Sequence, residues 1–258
     1  MEPNTTYNSN PTYKAATENV LSVKGLNISF GSNHVLRNFD LELKKGENLV
    51  VLGKSGSGKS VLIKCIIGLM KPDSGSINVL GESIPDLSNE DLDRVRMKTG
   101  FLFQSNALYD SMTVRENLEF PLRRHGIELS KSEVDELVQE ALSNVGLPGT
   151  EDKMPAELSG GMKKRIALAR TLILKPEIIL YDEPTTGLDP ITGKEISNLM
   201  LELQKKYNTS SILISHDIYC VKIVANRIIM LVDGRCYATG SYDELQKSTD
   251  PKVKSFFE

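Results

Sequence analysis

The chain has 258 residues, 40% of them hydrophobic and 25% charged, enough apolar material for one large globular domain or a domain with a subdomain. A formal net charge of −3 gives no electrostatic basis for nucleic acid as a partner. No apolar run approaches the ~18 residues that a membrane-spanning helix needs, so any membrane attachment would require a partner protein. Three cysteines, Cys65, Cys220 and Cys236, lie far apart without metal-like spacing and are expected to be buried, reduced thiols in a cytosolic protein.

Met1 to Asn19 is rich in Asn, Thr and Pro and has no apolar segment, so it reads as a disordered tail and not as a secretory signal. Val20 to Phe30 and Asn38 to Leu43 alternate apolar and polar residues, as strands do. Lys45-Gly46-Glu47 turns into the apolar strand Asn48 to Leu52. There follows Gly53-Lys54-Ser55-Gly56-Ser57-Gly58-Lys59-Ser60, of the form G-x-x-x-x-G-K-S, which opens a helical run from Val61 to Leu69. Glycines at this spacing let backbone N–H groups close on an anion, since no Cβ blocks the approach. Lys59 can bridge β- and γ-phosphates, and the Ser60 hydroxyl can ligate a magnesium ion. The stretch is expected to bind a nucleoside triphosphate.

Pro72 to Ser76 is a turn cluster, followed by a strand at Ile77 to Leu80. From Asp86 to about Gly149 the pattern is mostly helical: a charged helix from Glu90 to Lys98, a short strand from Thr99 to Gln104, and a capped helix. The cap is Ser130-Lys131-Ser132-Glu133, and Val134, Leu137, Val138, Ala141, Leu142 and Val145 form one buried face. This segment reads as a helical insert. Strands then alternate with helices again: a helix from Gly160 to Leu174, and strands at Glu177–Tyr181, Ser211–Ser215 and Ile228–Val232. Near-continuous apolar strands argue for a parallel sheet covered on both faces. Gly234 and Gly240 bound a last short strand, and short helices at Asp243–Lys247 and Val253–Glu258 close the chain.

The strand Ile178 to Tyr181 delivers Asp182 and Glu183 at its C-terminal end, where open α/β sheets place ligands. Asp182 is suited to hold Mg²⁺, and Glu183 to polarise a water aimed at the γ-phosphate. Leu158-Ser159-Gly160-Gly161-Met162 precedes a basic helix and makes a second phosphate-ready helix N-terminus. One P-loop needs one cradle, so a second is expected to serve the nucleotide of another copy. Lys163, Lys164 and Arg165 read as the solvated face of that helix, and His34 and His125 as surface residues.

These motifs, in this order, resemble the ATP-binding cassette (ABC) family from about Val20 to Gly240. The resemblance implies an α/β fold: an ABC-type P-loop NTPase with an N-terminal antiparallel β subdomain, a RecA-like parallel sheet core and a helical insert at about 86–176. Residues 20–240 would form the ATPase domain and 241–258 a short helical extension. It further implies that Phe30 stacks on adenine and that Gly53 to Val61 bind ATP. Gln104 would sense Mg²⁺ and the attacking water; Ser60, Gln104 and Asp182 would serve the metal. Ser159, Gly160, Gly161 and Met162 would be the signature, Glu183 the catalytic base, Asp189 in Gly187-Leu188-Asp189-Pro190 the D-loop, and His216 the switch histidine. Lys59, Gln104, Glu183 and His216 would carry catalysis in a head-to-tail homodimer that sandwiches two ATP.

Met162 in place of the usual Gln, the run from Gln104 to Arg123, and the closing Asp250 to Phe257 are similar to the Mla-type subfamily, the ATPases of MCE-linked phospholipid transporters. That similarity implies an integral-membrane permease docked at Ser105–Arg124, an MCE-domain lipid-binding protein, in some systems a STAS-domain protein, and a place on the cytoplasmic face of a bacterial inner membrane. An importer ATPase for another solute, or a soluble ABC ATPase of repair or translation, are the alternatives.

Overall fold

The computed structural model describes residues 18–257. Met1–Thr17 and Glu258, and with them most of the expected tail, lie outside the described residues. Asn19, assigned to that tail by sequence, begins the first strand.

Strands β1 (Asn19–Phe30) and β2 (Asn33–Lys44) form an antiparallel hairpin that reverses at Gly31, whose φ is +60°. β3 (Asn48–Leu52) leads through the glycine-rich loop into α1 (Lys59–Ile66). β4 (Ser74–Val79) returns to pair with β1, and the two-residue β5 (Glu82–Ser83) completes a four-stranded antiparallel sheet, β2-β1-β4-β5. α2 (Asn89–Met97) and β6 (Thr99–Leu102) follow. Then come α3 (Val114–Arg124), α4 (Lys131–Asn144) and α5 (Gly160–Leu172). β7 (Ile178–Asp182), α6 (Pro190–Tyr207), β8 (Ser210–Ser215), α7 (Ile218–Val224) and β9 (Arg227–Val232) resume the α/β alternation. β10 (Arg235–Gly240), α8 (Tyr242–Gln246) and α9 (Pro251–Lys254) end the chain.

The second sheet has the order β10-β9-β3-β8-β7-β6 and is parallel except for the β10–β9 pair. β6 pairs with β7, so this strand, which interrupts the expected helical stretch, is built into the sheet. Every residue of β3 is buried, because the strand is covered on both faces. Leu49 and Val51 join a cluster with Leu62, Ile63 and Ile66 of α1 and with Leu26 and Phe39 of the antiparallel sheet. Val50 and Leu52 point the other way, into a cluster with Ile166 and Leu168 of α5, Ile196 of α6 and Val221 of α7. The two-residue alternation of a strand thus distributes one apolar run between two cores.

Helix α3 has no clear sequence pattern, since its charges are interleaved with apolar residues and Pro121 lies inside it. It is nucleated by a capping box in which the Thr113 hydroxyl accepts from Glu116 N (3.2 Å) and Thr113 N donates to the Glu116 carboxylate (2.7 Å). No helix among the described residues is long and apolar enough to cross a membrane.

Leu62 is fully buried under the antiparallel sheet. Leu62→Ala is expected to cost about 2–5 kcal/mol of unfolding free energy, measured by urea denaturation of the nucleotide-free chain.

Candidate active site

Parallel neighbours end on the same edge of a sheet, so β3, β8 and β7 open their C-terminal ends side by side. Leu52 stands opposite Ser215, and Asp182 opposite Ile214. The residues that follow are therefore the P-loop, His216 and Glu183.

The loop depends on two glycines in particular. A Cβ on Gly58, whose φ is +103°, would lie 2.8 Å from Val35 Cγ1, and one on Gly53 would lie 2.6 Å from Ser57 Oγ and 3.0 Å from Leu231 O. Gly58 is also the N-cap of α1 and provides no side-chain cap, leaving the first-turn N–H groups of α1 without one. The buried Ser57 Oγ has no hydrogen-bond partner among the described residues. Lys59, 6% exposed, curls back so that Nζ donates to the carbonyl oxygens of Gly53 (2.7 Å) and Lys54 (3.1 Å).

The same ammonium lies 3.5 Å from Glu183 Oε1. Glu183 Oε2 is 2.9 Å from His216 Nδ1; a carboxylate only accepts, so the ring proton of this contact sits on Nδ1. Glu183 N donates to Ile214 O (3.0 Å), which fastens the end of β7 to β8. Glu183 itself adopts φ +49°, a left-handed conformation unfavourable for a residue with a Cβ. Ser60 Oγ donates to Asp182 Oδ1 at 3.4 Å. Burial raises the pKa of Asp182, the charge of Glu183 adds to the rise, and Ser60, Lys64 and Lys59 oppose it. Thr185 Oγ1 donates to Asp217 (2.7 Å), and Asp217 caps α7 behind His216.

The other predicted residues lie elsewhere. Ser159 caps α5, accepting from Met162 N at 3.2 Å. A Cβ on Gly161 would lie 2.8 Å from Thr192 Cγ2, so only glycine lets α5 pass α6 this closely. None of the hydrogen bonds of Ser159, Gly160, Gly161 or Met162 among the described residues reaches the P-loop. The Asp189 carboxylate caps α6, accepting from Ile191 N, Thr192 N and Thr192 Oγ1, and these bonds, the Thr192 hydroxyl first, lower its pKa. Gln104 is exposed just beyond β6. Phe30 is 47% exposed at the hairpin tip, while the opposite limb of that hairpin lines an open cleft of about 720 Å³ beside the P-loop.

That cleft holds residues no motif marks: Asn33, His34, Val35 and Arg37 facing Lys54 to Ser57, with Phe256 at one side. Only the β1–β2 pairing brings them there. His125 is half-buried rather than a surface residue, because its ring is desolvated, which lowers its pKa. Cys65 and Cys220 are buried as expected, but Cys236 is exposed on β10, the edge strand. The expected solvated basic face is also absent. Lys164 is 1% exposed, donates from Nζ to Gln104 O at 3.0 Å, and is pushed down to about 8 by burial against the opposing pull of Asp182. Arg165 binds Val145 O (3.1 Å) and Glu195 (3.0 Å). The i, i+4 apolar face of α5 is wide enough to take Lys164 with it.

Residues 36–186 match the pattern that defines the ABC transporter family. The chain belongs to that family. The probable ribonucleotide transport ATP-binding protein Mkl of Mycobacterium leprae is 40% identical over 236 residues, covering 92% of this chain and 68% of that protein. The intermembrane phospholipid transport system ATP-binding protein MlaF of Haemophilus influenzae is 38% identical over 239 residues, covering 93% and 90%. The dimeric ATP-binding cassette MJ0796 in a post-hydrolysis state bound to ADP and Pi superposes with a TM-score of 0.78 at 32% identity, over 86% of this chain and 98% of that one. This ABC chain therefore has the fold of an ATP-binding cassette ATPase.

Because the pKa of Asp182 is higher folded than unfolded, the unfolded chain loses this proton first and stability falls as pH rises through that interval. Asp182→Asn is expected to raise the melting temperature of the nucleotide-free chain above this interval, with the gain vanishing below the unfolded value; melting curves from about pH 3 to 8 check this.

Proposed function

We propose that this chain is the ATP-hydrolysing subunit of a membrane transporter that moves phospholipid between the inner and outer membranes and so maintains outer-membrane lipid asymmetry. The observation that carries the ATPase part is the chain from buried Lys59 and Glu183 to exposed His216 at the mouth of the P-loop, with contacts of 3.5 and 2.9 Å. The cargo rests on the likeness to MlaF over nine tenths of that protein.

Before nucleotide binds, Lys59 neutralises Glu183. A γ-phosphate entering the loop offers Lys59 a stronger anionic partner than the Gly53 and Lys54 carbonyls. Glu183 is then released as general base for a water, and its bond to His216 keeps it oriented while Nε2 of the ring faces the phosphate. Phe30 stacks on adenine.

Ser60 Oγ and Asp182 Oδ1 are hard oxygen donors close enough for one Mg²⁺, and Gln104 completes the set from the loop after β6. No group of three or more His, Cys, Asp or Glu among the described residues could hold a metal, which suits an ion that takes its remaining ligands from phosphate and water. When bound, Mg²⁺ neutralises charge developing on the β- and γ-phosphate oxygens.

The signature Ser159–Met162, exposed at its N-terminal end, completes the site of a second copy, with Asp189 beside it. The docked permease takes the groove after β6, where Phe103, Tyr109 and Phe120 gather beside Arg124. An MCE-domain protein and a STAS-domain protein are further members of the assembly, held at the cytoplasmic face of the inner membrane. A ribonucleotide cargo is the second reading, favoured only by the name of the mycobacterial relative.

Glu183→Gln is expected to lower ATP turnover about 10²–10⁴-fold, with ATP affinity retained, in phosphate-release and equilibrium-binding assays. Turnover equal to the wild type would remove Glu183 as base. Lys59→Ala is expected to abolish ATP-dependent dimerisation, read by light scattering. For cargo, the assembly with its permease should turn over faster in phospholipid vesicles than with added ribonucleotides; the reverse order would favour the second reading.

A further inference from the structure

The loop after β6 is held by the signature helix and not by the sheet. β6 ends at Leu102. Beyond it, two cations of α5, Lys164 buried and Arg170 partly buried, each seize a main-chain carbonyl: Lys164 Nζ donates to Gln104 O (3.0 Å) and Arg170 Nη2 to Asn106 O (3.1 Å). Arg170 Nη1 also reaches Asn117 Oδ1 at 3.4 Å, and its guanidinium lies 5.8 Å from the Tyr109 ring centroid. The fully buried Asn117 of α3 closes the far side, accepting from Tyr109 N (2.8 Å) and donating to the carbonyls of Tyr109, Met112 and Thr113.

The turn held in this way is a strained one. Asn106 and Ala107 are consecutive left-handed residues at φ +65° and +50°, and the buried Asn106 Oδ1 has no hydrogen-bond partner among the described residues. Successive L-residues do not stay in this conformation unless their surroundings impose it. A cation against a carbonyl dipole, away from water, supplies such an imposed contact. Lys164 makes no ion pair among the described residues; the charge of Asp182 favours its buried ammonium from a distance, and the hydrogen bond it donates goes to Gln104 O. Burying a charge only to fill space would be unfavourable.

We propose that Lys164 and Arg170 are positioning residues that fasten the Gln104–Tyr109 turn to the helix beginning at Ser159, so that the Q-loop and the signature of one chain move as a single body. Gln104 serves the chain's own nucleotide and Ser159 serves the partner's, so this part rests on the reading given under Proposed function. The fastening ties the two sites of the dimer through one helix.

Hydrogen exchange of the full nucleotide-free chain tests the fastening independently of that reading. Methionine keeps the unbranched lysine stem and drops only the terminal ammonium, so Lys164→Met is expected to fold; Lys164→Gln, whose amide falls short of the carbonyl, replaces it if it does not. Exchange at Ser105–Tyr109 is expected to rise about tenfold in the Met variant with β7 and the rest of α5 unchanged, and Lys164→Arg is expected to stay within about twofold of wild type. An unchanged profile, or a rise spread evenly over the chain, would overturn the fastening. In MgATP turnover the Met variant is expected to lose about tenfold in kcat with the Kd for ATP within about twofold, and Arg to restore most of it. An unchanged kcat beside a loosened turn would overturn the coupling. A wild type that neither binds nor hydrolyses ATP would instead sink the proposed function and leave the exchange result standing.

Discussion

Glu183 cannot be buried by itself. At 8% exposure its carboxylate would be too costly to ionise without compensation. It is compensated by Lys59 from the loop after β3 and His216 from the end of β8. Three segments far apart in sequence must therefore arrive at one point, and the order β3-β8-β7 is what brings them together. That order in turn requires both faces of the sheet to be covered, which explains the apolar strands. The glycines at 53 and 58 follow from the same demand, since any Cβ there would push the loop away from Val35 and Leu231.

The two faces carry different parts of the machinery. The P-loop helix α1 is anchored with the antiparallel sheet in one apolar cluster, and the signature helix α5 with α6 and α7 in the other. The sheet between them is shared. β3 and β7 each pair with β8, and the two close-packed clusters form one block on either face of the sheet. The polar bonds from α5 to the loop after β6 belong to the second block.

Much of this was legible in the chain itself. The P-loop, the acidic end of β7 and His216 could be read because each is a local pattern attached to an apolar strand, and strand ends share one edge of a parallel sheet. The alternation of strands and helices likewise announced the layered fold. Lys164 could not be read: a lysine beside another lysine and an arginine has the pattern of a wet surface, and only the position of Gln104 O explains its burial. Helix α3 was obscured by its charges and Pro121. The cleft residues His34 and Arg37 depend on hairpin pairing, which is tertiary information. Asp189 illustrates a different loss, since a motif carboxylate is already occupied as a helix cap in the chain alone.

The left-handed backbone of Glu183 has an evolutionary side. Glycine or asparagine would suit that conformation better by about 1 kcal/mol, so a glutamate here costs the nucleotide-free fold a small amount of stability. Under the proposed role of Glu183 as base, a relative with glycine or asparagine at this position would gain that stability and lose the base.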